Sequence, residues 1–268
     1  MDDHQFKTLL DWWNFSWPGY RKVRKSVKKR VSRHMQGLNC TRMDAYLALL
    51  ETRSVLRKEC EKLMTVSISR FWRDPKLWLG LEQNILPGLI EKEKKIIKIW
   101  SGGCARGEEV YSIKIVWDRL KATYNSLPLI KITATDINPE YLEMARSGTY
   151  LVSSLKALPD GLRDIYFARK KGKRRFEVKP FLKTHINWQL RNLFDGPPDL
   201  GYDIIFLRNN LLTYYRDTLK KKVLKKVLSG LKTNGWLIIG SHEKIPSDRP
   251  ELIRHREIPW AFYKKRLS

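Results

Sequence analysis

The chain has 268 residues, of which 42% are hydrophobic and 11% aromatic, enough to bury a core in one large or two unequal domains and to exclude wholesale disorder. Its 53 Lys and Arg outnumber 28 Asp and Glu, and the resulting net charge of +25 attracts acidic partners or polyanions. Three cysteines, Cys40, Cys60 and Cys104, with no Cys-x-x-Cys pair, support neither a disulfide framework nor a structural zinc site, so no metal is expected and a reducing cytoplasm is the default setting. The N-terminus MDDHQFKTLLDWWNF is unlike a signal peptide, and no run approaches the roughly 18 apolar residues of a membrane span.

Residues 20–34 read YRKVRKSVKKRVSRH, eight Lys or Arg with no acid. Val23, Val27 and Val31 recur at i, i+4 and i+8, which predicts a helix with a thin apolar stripe and a basic face. After a break at 37–39, Met43, Tyr46, Leu47 and Leu50 predict a second amphipathic helix, with Asp44 near its start where negative charge suits the helix dipole. Residues 1–64 therefore read as a small all-α domain. From residue 65 the grammar changes. Short apolar, β-branched runs at 96–102, 131–137, 202–209 and 235–241 predict buried strands, and they alternate with helical patterns at 108–120, 139–146 and 218–231, the last with Val223, Leu224, Val227, Leu228 and Leu231 on one face. This alternation predicts an α/β, parallel, doubly wound sheet over 65–268. Residues 149–185 interrupt it as a small β-rich insert, whose basic run RKKGKRR at 169–175 reads as a hairpin tip, and IPWAFYKK near the end reads as a last strand closing one edge.

In such sheets ligands bind beyond the carboxyl ends of the strands, near the switch in strand order. The first strand runs into WSGGCARGEEVYS, where Gly102 and Gly103 allow a ligand to approach the backbone and Glu108 and Glu109 open a helix. This is neither G-x-G-x-x-G nor a phosphate loop. The second strand ends at Asp136, where a carboxylate can accept from both hydroxyls of a ribose. Each signal has a bland counterpart: Glu108 and Glu109 suit any helix start, and Asp136 suits an N-cap for a helix at Pro139. In this order, they fit adenosine with a neutral or cationic tail, and S-adenosylmethionine is such a ligand.

The ordered run VSISRFWRD, ILPGLI, IWSGGCARGEEVYS, ATDINPEYLEMARSGTY, LPDGLRDIYF, NWQLRNLF, YDIIFLRNNLLTYY and GWLIIGSHE resembles the CheR family of chemotaxis receptor methyltransferases. The resemblance implies a Rossmann-like S-adenosylmethionine-dependent methyltransferase domain with a small β-rich subdomain, preceded by a helical domain, and methylation of glutamate carboxylates on receptor signalling helices. The family's Asn-x-Thr-x-x-x-Arg pattern falls on Ser67, Ser69 and Arg73, with both polar residues replaced and the Arg kept. Cofactor contacts carried over in this way fall on Glu109, Asp136, Asn192, Leu193, Leu207 and Arg208, the last two with Asn209 matching the family's Cys-Arg-Asn, and Gly103 of the glycine loop joins them. Arg73 would also orient the acceptor or hold the methionine carboxylate. The loop RNNLLTYY is one residue longer than the family's, so the active-site tyrosine aligns with Tyr214, Tyr215 being the alternative. By charge, the basic run from Arg21 to Arg33 fits the acidic helices of chemoreceptor-type proteins, and a monomer is expected.

Two rival readings differ in class. One keeps the fold but turns it to another acceptor, nucleic acid or a small molecule, motivated by the +25 charge, the two serine replacements and the longer loop; it predicts steep salt dependence. The other is a scaffold with a decayed cofactor site, against which the retained Arg73, Glu109, Asp136 and Asn192 argue.

Overall fold

A computed structural model describes residues 1–66, 69–170 and 174–266, so Ser67 lies outside the described residues. The chain divides into two compact units. One comprises Met1–Ile68 with Leu211–Lys221, the other Ser69–Asn210 with Lys222–Ser268.

The first unit is helical, with Asp3–Trp12, Trp17–Tyr20, Arg24–Gly37, Met43–Thr52 and Ser54–Met64 in succession. Asp2 starts the first helix with a capping box, its side chain accepting from the Gln5 amide at 2.8 Å while Gln5 Oε1 accepts from the Asp2 amide at 3.1 Å. The buried stripe of the basic helix is Val27, Val31 and Met35; Val23, expected on that stripe, precedes the helix as its cap residue. These side chains pack with Phe6, Leu9, Leu10, Tyr46, Leu50, Cys60 and Met64 into one core. Tyr20 donates its hydroxyl to the Met64 carbonyl at 3.1 Å, and Arg30 donates to the Leu63 and Thr65 carbonyls, so the basic helix is tied to the end of Ser54–Met64. Of the remaining cations, Lys28 pairs with Asp3 at 2.8 Å, whereas Lys25, Lys29 and Arg33, four residues apart, form an exposed row.

The second unit is built on strands β1 (Ile96–Gly102), β2 (Leu129–Asp136), β6 (Ile186–Leu190), β7 (Tyr202–Leu207), β8 (Leu231–Ile239), β9 (Leu252–Arg254) and β10 (Ala261–Lys264), in the order β6-β2-β1-β7-β8-β10-β9. The first five are parallel, and β10 and β9 return antiparallel. All six residues of β7 are buried, and its sequence is apolar except at Asp203, whose carboxylate accepts from Lys94, Lys232 and the Lys98 amide. Two expectations need correction. The last strand is not an edge: β10 lies between β8 and the three-residue β9, which is too short to announce itself by pattern. Leu231 is not on the helix Asp217–Ser229 but opens β8, buried like the helix residues before it. Strands β3 (Thr149–Leu151), β4 (Phe167–Arg169) and β5 (Arg175–Val178) form a separate antiparallel sheet in the order β3-β5-β4. Strands β4 and β5 pair antiparallel and the Lys170 amide bonds the Arg175 carbonyl at 3.0 Å, while residues 171–173 of the predicted basic tip lie outside the described residues.

Strand order reverses between β1 and β7. Register places Gly102 opposite Thr135 on one side and Ser101 opposite Phe206 on the other, so the carboxyl ends of β2, β1 and β7 stand side by side.

Candidate active site

After β1 the backbone turns sharply. The Gly103 and Cys104 amides both bond the Thr135 carbonyl, at 2.8 and 2.9 Å, with Gly103 at φ +76. A Cβ there would lie 2.5 Å from Asn210 Nδ2, which donates to the Gly102 carbonyl, so only glycine fits. The same turn directs the Ala105 amide to Asp136 Oδ2 at 2.8 Å, while the Asn138 amide bonds Oδ1 at 2.9 Å. Asp136 is thereby a fixed, buried acceptor. The cap of the helix Pro139–Ser147 is Asn138, whose side chain accepts from Glu140, so Asp136 is not needed for that role. The Arg191 amide bonds the Asp136 carbonyl at 3.0 Å and brings the next loop to the same tip. There Asn192 Oδ1 accepts from the Phe194 amide, and a Cβ on Gly102 would stand 3.1 Å from Leu193 Cδ1.

A chain of charged groups runs behind this cradle. Glu109 accepts from the Ser101 hydroxyl at 2.8 Å and from Arg208 Nη1 at 3.0 Å. Arg208 Nη2 donates to Asp74 Oδ2 at 2.7 Å and to the Arg73 carbonyl at 3.2 Å, and Asp74 Oδ1 accepts from Ser241. The Arg208 side chain is 3% exposed, and its guanidinium lies 5.5 Å from the Trp78 ring centroid. Arg73 Nη2 donates to Asn209 Oδ1 at 2.9 Å. Asn209 is held at φ +55, and its amide shares Glu243 Oε2 with the Gly240 amide, at 2.8 and 2.7 Å. Leu207 is fully buried at the end of β7.

The second unit thus brings together Gly103, Asp136, Asn192 and Leu193 around one strand tip, and Arg73, Glu109 and Arg208 in one polar network. Ser69 reaches Glu108, whose carboxyl is fully buried 3.4 Å from Arg106 Nη2; burial raises its pKa, and Arg106 and the Ser69 hydroxyl oppose that rise. Tyr214 belongs to the first unit, half-buried on the turn Leu211–Tyr214, its ring 5.1 Å from that of Tyr20. Tyr215 lies with its ring 4.7 Å from Phe15, its phenol pushed up by burial. Asp74 and Glu243 were missed by residue reasoning, and Asn209 was placed only as the last residue of the family's Cys-Arg-Asn pattern. The one available signal for Glu243 was its place just after a buried strand.

Asp136 carries a pH prediction. Burial raises its pKa from the ordinary value, against the pull of the Asn138 and Ala105 amides. Folding therefore favours the neutral acid, and this contribution to stability is lost as pH rises through the raised pKa. Ribose hydroxyls donate only to the ionised form without competition, so cofactor affinity should have the opposite slope. Calorimetry between about pH 7 and pH 4 should show S-adenosylmethionine binding weaken at a higher pH than an ordinary aspartate would dictate. Asp136→Asn should flatten that limb; a wild-type curve already flat there would contradict the assignment.

Among the described residues no cluster of His, Cys, Asp or Glu could hold a metal, and no helix is long and apolar enough to cross a membrane. The glycine cradle, which a Cβ would fill, and the buried carboxylate at the next strand tip fit an adenosine with its ribose hydroxyls.

Residues 67–262 match the family model described as CheR methyltransferase, SAM binding domain. A chemotaxis protein methyltransferase of Vibrio parahaemolyticus is 34% identical over 204 residues, 74% of this chain and 73% of that protein. One of Listeria monocytogenes is 30% identical over 201 residues, 74% of each chain. An uncharacterised 104.1 kDa protein of Rhodobacter capsulatus is 25% identical over 222 residues, 82% of this chain but 23% of that relative's own length. With a family match spanning most of its length, laid over a cradle and an acidic strand tip suited to S-adenosylmethionine, the chain belongs to the CheR methyltransferase family.

Proposed function

We propose that the protein transfers a methyl group from S-adenosylmethionine to glutamate side-chain carboxylates of chemoreceptor-type signalling proteins. The observation that carries this reading is the buried Asp136 acceptor beside the Gly103 cradle, with Arg73 held by Asn209 in the same unit. Bound S-adenosylmethionine supplies an activated methyl on a sulfonium, whose departure as a neutral thioether leaves a carboxyl ester. Because a glutamate is already ionised at neutral pH, the chain need not provide a general base. Its work is positioning and electrostatics. Asp136 accepts from the ribose, Gly103 lets the backbone come close, and Asn192 and Leu193 border the same tip. Arg73 orients a carboxylate through a planar fork that lysine cannot reproduce. Tyr214 is assigned to the acceptor by its alignment with the family's active-site tyrosine, while Tyr215, with its ring against Phe15, serves packing.

In this reading residues 1–64 dock the partner and residues 65–268 carry out transfer, in the cytoplasm. The exposed row Lys25, Lys29 and Arg33 supports the docking role, since its positive charge complements acidic receptor helices. Incubation with S-adenosylmethionine and a purified chemoreceptor cytoplasmic fragment, followed by peptide mass spectrometry, tests the reaction. The expected product carries one extra methylene mass on glutamates of acidic helices; methylation confined to other residue types would overturn it. Reversing Lys25, Lys29 and Arg33 together to Glu should raise the KM for the receptor about tenfold or more, at roughly 0.5 kcal/mol per exposed charge, with cofactor affinity unchanged.

A further inference from the structure

Within the helical unit, the segment 14–20 is fastened to the loop that carries Tyr214 by backbone bonds rather than by side chains alone. The Ser16 amide donates to the Tyr214 carbonyl at 2.7 Å, and the Arg216 amide donates to the Asn14 carbonyl at 2.9 Å. Between them Phe15 and Tyr215 form an antiparallel bridge, with ring centroids 4.7 Å apart. Asp11 pairs with the Arg216 guanidinium, and the buried Tyr20 ring lies 5.1 Å from Tyr214. The closest approach is at Gly19, where a Cβ would stand 2.1 Å from the Thr213 carbonyl oxygen and 3.2 Å from the Tyr214 Cα. No side chain can occupy that position unless the loop moves.

This contact joins two features. The one-turn helix Leu211–Tyr214 carries the aligned tyrosine, and the segment that grips it precedes the matched residues 67–262 altogether. A single helical turn is marginal by itself, and a two-bond bridge with a glycine contact fixes it before any acceptor arrives. We infer that the segment 14–20 is a positioning element of the methyl-transfer reaction: it sets where the Tyr214 side chain stands and so determines acceptor geometry. The inference rests on the reading of Tyr214 as an acceptor-side residue. Its chemistry is steric and backbone-directed, so Gly19 and Ser16 act through Tyr214 and do not themselves touch the reacting atoms.

The test uses the full chain with a purified chemoreceptor cytoplasmic fragment as acceptor. Gly19→Ala places a methyl against the Thr213 carbonyl, and Ser16→Pro deletes the donor to Tyr214. Each variant is first melted to establish that it is folded, and Ser16→Pro decides if Gly19→Ala is not. A displacement of about 1 Å at a positioned group costs on the order of a hundredfold, so kcat/KM for the acceptor should fall by about tenfold to a hundredfold. Kd for S-adenosylmethionine should stay within about twofold, a split that general loss of structure would not produce. Folded variants with wild-type kcat/KM would overturn the inference. Tyr214→Ala, run in parallel, separates the two layers. If it lowers kcat/KM while Gly19→Ala and Ser16→Pro do not, the positioning role alone fails; if it changes nothing, the reading of Tyr214 fails and the positioning role with it.

Discussion

Asp136→Ala is expected to weaken S-adenosylmethionine binding by about a hundredfold or more. Two ribose hydroxyls donating to a buried carboxylate are worth about 1.5–3 kcal/mol each, and about 3 kcal/mol is two decades in Kd. The substitution also removes the acceptor of the Ala105 and Asn138 amides, so the turn at Gly103 loses the partner that fixes it. Asp136→Asn keeps one carbonyl oxygen and should lie between wild type and the alanine variant. Equilibrium dialysis with labelled cofactor measures all three, and an alanine variant within about threefold of wild type would remove Asp136 from the cofactor site.

The second large effect concerns folding. Arg208→Met removes a guanidinium that is bonded to both Glu109 and Asp74 and leaves two carboxylates without their shared cation. Breaking such a pair costs about 3–5 kcal/mol. The carboxylates are 16% and 20% exposed, so the lower end applies. A loss of about 3 kcal/mol corresponds to roughly 6–12 °C in Tm for a domain of this size. Arg208→Lys should rescue only part of this, because one ammonium cannot reproduce the forked geometry. Adding Glu109→Gln to Arg208→Met should restore stability by removing one stranded charge, and a double-mutant cycle reads that coupling directly. Additive losses would mean that the pair is not coupled.

The sheet was legible where burial writes a mainly apolar run despite Lys98 in β1 and Asp203 in β7, and where β2 alternates towards Asp136. It was less legible at short or late strands. The three residues of β9 and the five of β6 carry too little pattern, and Leu231 satisfies a helical period while serving as the first residue of β8. The cradle was legible for a physical reason: a glycine pair after a strand and an acid at the end of the next are local signals. The network behind it was not. Arg208 meets Glu109 across 99 positions and Asp74 across 134, and no local period encodes such a pairing. Asn209 and Asp74 at positive φ are likewise fixed by tertiary bonds, not by propensity. The grip of the segment 14–20 on the Tyr214 loop joins residues about two hundred positions apart, and only the carbonyl of Thr213 explains why residue 19 must be glycine.

The most direct test of carboxyl methylation is transfer of labelled methyl from S-adenosylmethionine into a mixture of chemoreceptor-containing membranes, total RNA and soluble extract from one cell, followed by mild alkali. Label should appear on receptor protein and be released as methanol, as a glutamate methyl ester requires. Base-stable label, or label on RNA or small molecules, would contradict a CheR-type acceptor.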